Sequence, residues 1–533
     1  MKWRRRLSAP LVVIAFLLST TASAHALPAS ASRVETLSGA VAGRTFDSNP
    51  NHVEFLGIPY AAPPTGDNRW RPPQPPVAWK GVRKSVSYGP ACPQLPSSWL
   101  PEMLGLQQMP TDENCLFVNV WSTNLHTSSR KPVMVWIHGG GNIEGSQEWP
   151  PLGPALATQG VVVVTLNYRL GIFGYFSHPA LTAESSHHSS GNYGLLDQIA
   201  ALRWVKANIQ HFGGDPDRIT VFGASSGSLD VCDLVASPMA AGLFRGAILQ
   251  SGVCVDGLAP TLAHQEGDGI RIAKDLGIPE GPAALTMLRA IPADQLLHKA
   301  AEEQNVDFNP TLDGWVFREQ PAITFRAGRQ NKVPVLVGSN MDEISIFASP
   351  IVGGKSYRPT TLESYREWLG KAFGDHGNDV FSAYPAHADS EAPKVFRELD
   401  TDYEFGFGAW LLAQEVANTG QDAFLYSFTY VGSGKFAPLG AFHSEESILL
   451  SKKYWTSWVH SPEDETLSNI LIGYWTQFAK TLNPNGKGLP PWPPYRTASE
   501  DAQELGRHVG QIPVPRRDRF AVFEKMLDEQ LKR

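Results

Sequence analysis

The sequence predicts a mostly parallel β-sheet with helices packed on both faces, and three observations carry that expectation. Short runs rich in β-branched residues alternate along the chain with segments of helical period, the order expected of βαβ units. The stretch Val161 to Leu166 is almost continuously apolar, as a strand covered on both faces must be. Leu195, Ile199, Leu202, Val205 and Ile209 recur at helical spacing, with Trp204 and Phe212 assigned to the same core face. Insertions between Gly252 and Lys332, and between Phe347 and Asp422, are expected to cap the sheet and wall a gorge.

The most informative strand is Ile219 to Ala224, which runs into Gly223-Ala224-Ser225-Ser226-Gly227 and then a helix-competent segment from Ser226 to Ala236. Strand, G-x-S-x-G and helix in that order form a nucleophile elbow, the mark of the α/β-hydrolase fold. Its serine stands on a strained turn, and the flanking glycines are needed because a Cβ would strike neighbouring backbone. A second glycine device closes the strand Val133 to Ile137, which ends in His138-Gly139-Gly140-Gly141. Such a loop can aim backbone N–H groups at a developing oxyanion. Ser226 and Ser228 are alternative hydroxyls, assigned structural roles because both fall on the helix after the elbow.

A serine hydroxyl needs a base, and that base needs an orienting acid. In this architecture the chain order is Ser, then Asp or Glu, then His. The strand Val333 to Gly338, with Pro334 near its start, delivers Ser339-Asn340-Met341-Asp342-Glu343. Glu343 is the candidate acid, and Asp342 the alternative, otherwise a turn or cap residue. His443, on the late loop Gly440 to Glu446, is the candidate base, although chain order alone does not select it among fifteen histidines.

With these motifs in place the chain resembles the type-B carboxylesterases, the family of cholinesterases, liver carboxylesterases, fungal lipases and bacterial para-nitrobenzyl esterases. The likeness spans roughly residues 35 to 525. It includes Phe55-Leu56-Gly57-Ile58-Pro59-Tyr60-Ala61, Pro63-Pro64, Arg69-Trp70 and Glu113-Asn114-Cys115-Leu116-Phe117-Val118-Asn119-Val120-Trp121. It continues through Asn167-Tyr168-Arg169-Leu170-Gly171, Gly191-Asn192-Tyr193-Gly194-Leu195-Leu196-Asp197-Gln198 and Phe212-Gly213-Gly214-Asp215-Pro216. The resemblance implies a triad of Ser225, Glu343 and His443, the last through an H-x-x-E pattern ending at Glu446. It also implies oxyanion donors from the N–H groups of Gly140, Gly141 and Ser226. Three positions depart from the family pattern: Ala224 replaces the usual Glu before the nucleophile, Ile344 a Gly after the acid, and Asn142 an aromatic after the glycines.

Composition bounds the rest. The chain has 533 residues, of which 42% are apolar, and no linker divides it, so residues 27–533 are expected to form a single domain. Residues 1–26 read as a secretory signal peptide: a basic start (Lys2, Arg4, Arg5, Arg6), an apolar run from Leu11 to Leu18, and small-residue cleavage sites at Ala22-Ser23-Ala24 and Ala24-His25-Ala26. The product is then secreted or periplasmic, with no membrane span. The net charge of −7, more negative once the leader is removed, disfavours nucleic acid as a partner. Export makes disulfides feasible. The family resemblance pairs Cys92 with Cys115. Cys232 and Cys254 would tie the elbow helix to the end of the strand Ala247 to Gln250, the other reading being two buried thiols. No metal-ligand spacing such as C-x-x-C or H-E-x-x-H is present, and no cofactor is expected.

The expected activity is hydrolysis of small-molecule esters through an acyl-enzyme. Ala224 adds an expectation about substrate: with no carboxylate beside the nucleophile, esters bearing free carboxylates are tolerated and choline esters are poor substrates. A lipase, or a non-catalytic binding or adhesion protein on the same fold, is the competing reading. Sequence leaves the oligomeric state open.

Overall fold

The computed structural model describes residues 32–96, 109–303, 306, 308–347, 349, 358–453 and 460–532; the expected leader lies outside them. Three strands, β1 (Arg33–Thr36), β2 (Gly39–Ala42) and β5 (Val82–Lys84), make a small sheet. The other eleven form one large sheet. Across it lie β14 (Val509–Pro513), β13 (Asp501–Leu505), β12 (Ala423–Phe428), β11 (Val335–Asn340), β10 (Gly246–Gln250) and β9 (Gly214–Ala224). The order then runs through β7 (Lys131–Ile137), β8 (Val162–Leu166), β6 (Phe117–Ser122), β4 (Val53–Pro59) and β3 (Arg44–Thr45). Pairing is parallel from β13 to β8 and antiparallel at both margins.

The central strands are apolar on both sides because both sides are covered. Val133, Val135, Ile137, Val162, Val164 and Leu166 face one core, together with Leu195, Ile199, Leu202, Trp204, Val205 and Phe212. Met134, Trp136, Val163 and Phe222 face the other, with Leu449, Leu471 and Trp475. Each fully buried aliphatic side chain contributes about 1.5–3 kcal/mol. A one-residue slip would exchange the two faces, so the register is strongly specified.

Element bounds shift from the sequence reading in instructive ways. The elbow helix spans Ser226–Ala236, as expected. The helix expected from Leu195 to Phe212 runs Tyr193–Asn208 and tightens into a 3-10 turn, Ile209–Phe212, closed by Gly213 at φ 82°. Strand β11 starts only after Pro334, which has no N–H to give a ladder. Both insertions are helical: the first carries Leu262–Asp275, Ala284–Ala290, Ala293–Glu302 and Pro321–Arg326. The second carries Leu362–Phe373, Gly377–Ala383, Ala392–Thr401 and Phe407–Asn418. Cys92 pairs with Cys115 and Cys232 with Cys254, at Cα separations of 5.0 and 5.6 Å. Among the described residues, no helix is long and apolar enough to cross a membrane.

Candidate active site

Ser225 sits between the end of β9 and its helix with φ 58° and ψ −131°, a conformation costly for any residue with a side chain. Packing holds it there. Its N–H donates to the Gln250 carbonyl at the end of β10, at 2.8 Å. A Cβ on Gly139 would lie 2.5 Å from the Ala224 carbonyl oxygen and 2.9 Å from Ser225 Cβ. A Cβ on Gly223 or Gly227 would strike the backbone at Ile137. Elbow and glycine loop therefore interlock through bare backbone, which is why glycine occupies both.

The glycine loop turns through Gly140 at φ 114° and Gly141 at φ 62°. The Gly140 carbonyl accepts from Ile143 and Glu144. Among the described residues, the N–H groups of Gly140 and Gly141 donate to no protein acceptor. Beside them His138 is fully buried, stacks on Tyr168 and gives Nδ1–H to the Gly139 carbonyl at 2.8 Å. Burial pulls its pKa down to about 4, so His138 is a neutral structural residue and no rival for the base.

Glu343 and His443 meet directly: His443 Nδ1 lies 2.6 Å from Glu343 Oε2. Glu343 is fully buried, and its other oxygen accepts the Asn340 N–H at 2.7 Å. His443 is 7% exposed, held between the rings of Phe347 and Phe405 at 5.1 and 5.0 Å. Among the described residues its Nε2 is buried and has no hydrogen-bond partner, so it makes no bond to Ser225.

Several residues that position this pair carried no signal in the sequence. Asn340 donates from Nδ2 to the Phe442 carbonyl at 2.6 Å and to Glu446 at 2.7 Å. Gln250, whose carbonyl holds Ser225, also donates to Glu446 at 2.9 Å and accepts from Trp475 at 2.9 Å. Gln250 thus ties the elbow to the histidine loop. Burial pushes the Glu446 carboxyl up, and the nearby Glu343 adds to this. Asp342, the alternative acid, instead accepts the Ala441 N–H at 3.1 Å and clamps the histidine loop. Ser228 donates to the Gly252 carbonyl at 2.6 Å, and Ser226 Oγ accepts the Asn142 N–H at 3.1 Å; both hydroxyls are engaged structurally. Among the described residues, no group of three or more His, Cys, Asp or Glu side chains is placed to hold a metal.

Known proteins resemble this chain over most of its length. The model of the carboxylesterase family matches residues 30–520. The chain is 35% identical to the fumonisin B1 esterase of Sphingopyxis macrogoltabida, over 95% of this chain and 94% of that protein. It is 34% identical to carboxylesterase 1C of Rattus norvegicus, over 94% of each. The crystal structure of the Geobacillus stearothermophilus carboxylesterase EST55 at pH 6.8 superposes with a TM-score of 0.78 at 32% identity, covering 92% of this chain and 99% of that one. A strained serine elbow, a glycine loop against it and a buried Glu–His pair, on a sheet shared with these enzymes, make this chain a member of the carboxylesterase family and a carboxylic ester hydrolase of the α/β-hydrolase fold.

Proposed function

We propose that the chain is a serine esterase, with Ser225 as nucleophile, His443 as general base and Glu343 as the acid that orients it. The observation that carries this reading is the 2.6 Å bond in which His443 Nδ1–H donates to Glu343 Oε2, leaving Nε2 to take a proton. In acylation Nε2 takes the Ser225 proton as Oγ attacks the ester carbonyl, and Glu343 stabilises the imidazolium. The N–H groups of Gly140, Gly141 and Ser226 receive the oxyanion. His443 then protonates the departing alcohol, and water releases the acid by the same path in reverse roles.

A leader over residues 1–26 and a single catalytic domain over 27–533 complete the proposal, with secretion or periplasmic export supported by the two disulfides. The substrates are small esters, and the acidic net charge argues against nucleic acid. Esters carrying free carboxylates are included, since Ala224 is 2% exposed and brings no charge to the nucleophile. Likeness to a protein named fumonisin B1 esterase supports testing fumonisin B1 beside simple esters.

The test is hydrolysis of para-nitrophenyl esters of increasing acyl length, with choline esters and dicarboxylic monoesters alongside, by wild type and Ser225→Ala. Loss of about 10⁴-fold or more in kcat is expected for the variant. Retained activity would remove Ser225 from the mechanism, and a preference for the choline ester would remove the carboxylate-tolerant reading.

A further inference from the structure

The glycine run 139–141 is the most flexible kind of backbone, yet oxyanion donors act only when held in place beforehand. Asn142, the first side chain after that run, is fully buried at φ 59°. All of its hydrogen-bonding groups are engaged. Its N–H donates to Ser226 Oγ at 3.1 Å, and its carbonyl accepts from Gly171 at 2.6 Å. Its Oδ1 accepts from the Tyr168 hydroxyl at 3.1 Å. Its Nδ2 donates to Asp230 Oδ1 at 3.2 Å and to Asn309 at 3.4 Å.

Ser226 and Asp230 stand four apart on the elbow helix and so share a face one turn apart. Asn142 spans both. Asp230 is itself fixed on its other oxygen by Gln198 Nε2 at 2.5 Å. Among the described residues, no Lys, Arg or His makes an ion pair with it; its side-chain partners are the amides of Asn142 and Gln198. Asp233, one turn further on, adds a second buried acid. A carboxyl retained in such a place without a counter-charge is expensive, which argues for a task beyond packing.

We infer that Asp230 is a positioning residue for ester hydrolysis: through Asn142 it locks the glycine loop to the nucleophile helix and sets the spacing of the oxyanion donors. It touches no reacting atom. The inference rests on the site proposed above. It also accounts for Asn142 where the family pattern has an aromatic: the side-chain amide donates to Asp230, which a phenyl ring cannot do, while the backbone N–H that reaches Ser226 would be kept by either.

Steady-state kinetics on a neutral para-nitrophenyl ester and the affinity for a trifluoromethyl ketone, whose adduct mimics the tetrahedral state, test the inference. Asp230→Ala and Asn142→Ala should each lower kcat by about 10- to 100-fold, weaken the ketone by a similar factor and leave KM within about threefold. The double variant should lose no more than either single one, since both break one link. Asp230→Asn should stay within about threefold of wild type: its Oδ1 still accepts from Asn142, and its Nδ2 can meet Gln198 Oε1, a buried atom with no partner. Asp230→Ala with a lowered Tm but wild-type kcat and ketone affinity would overturn the inference, as would additive losses. Should Asp230→Ala not fold, an unchanged kcat in Asn142→Ala overturns it as well. Ser225→Ala in the same assay separates the failures: an active Ser225→Ala sinks the site, whereas an inactive one beside a fully active Asn142→Ala sinks only the role of Asp230.

Discussion

The nucleophile half of the site is made from two short stretches, residues 138–142 and 223–227, which pack bare glycine backbone against each other and are tied at one end by Asn142 to Ser226 and Asp230. The acid–base half joins Glu343 to His443 across 100 residues of chain and is held by side chains: Asn340, Gln250, Glu446 and Asp342. Gly139, Gly140, Gly223 and Gly227 stand in the first because a Cβ at any of them would strike neighbouring backbone. Buried amides and carboxylates build the second because two loops must be brought to one place and kept there. The halves should therefore fail differently, the first through sterics and the second through charge and tautomer.

The largest separate effect is expected on the charge side. Glu343→Gln keeps the shape but removes the carboxylate bonded to His443 Nδ1, which in the proposed mechanism stabilises the imidazolium and selects its tautomer. A fall of about 10³- to 10⁴-fold in kcat is expected, with KM little changed. Stopped-flow hydrolysis of a para-nitrophenyl ester measures it, and a loss under tenfold would mean that the acid is Asp342 or lies elsewhere.

The steric half gives a smaller loss by another route. Gly139→Ala puts a methyl group 2.5 Å from the Ala224 carbonyl and 2.9 Å from Ser225 Cβ, and such contacts force the loop or the elbow to move. About 10²- to 10³-fold should be lost from kcat, the scale of one missing oxyanion donor, with the far-ultraviolet circular dichroism of wild type. Unchanged activity would show that the two stretches are not interlocked in solution.

The same contrast explains what the sequence revealed. The elbow and the glycine loop are local, so strand, motif and helix were legible from consecutive residues, and the helix after Ser225 was bounded correctly as Ser226–Ala236. Glu343 was singled out, ahead of Asp342, by its place just past an apolar strand, and the fold brings it to His443. His443 did not follow from chain order among fifteen histidines; it needed the family pattern, because a loop's partner across 100 residues leaves no periodicity behind. Asn340 and Gln250 were invisible for the same reason: each acts only through residues that the fold brings from afar. Phe347 and Phe405, which hold the imidazole, read as ordinary apolar residues of the insertions.

A final prediction concerns the seam between the halves. Asp256 lies on the loop after β10, beyond Cys254 of the elbow-side disulfide, and packs against Gly408 of the helix Phe407–Asn418. The turn before that helix carries Phe405 onto His443. Burial, with Glu404 nearby as a second cause, pushes the Asp256 carboxyl up to about 7 from an ordinary 3.8. A raised carboxyl favours the folded state fully below about pH 4, where it is protonated in both states. That advantage is lost progressively as pH rises towards 7, because the unfolded chain ionises first. Asp256→Asn stays neutral throughout. It should match wild type in urea unfolding at pH 3 and exceed it by about 1–2 kcal/mol at pH 8, allowing for the water that still reaches the site. Because Asp256 touches neither Ser225 nor His443, kcat at pH 8 should hold within about twofold. A gain that is equal at both pH values would assign the effect to packing; a stability gain accompanied by a large loss of kcat would show that the seam, like the two halves, sets the geometry of the reaction.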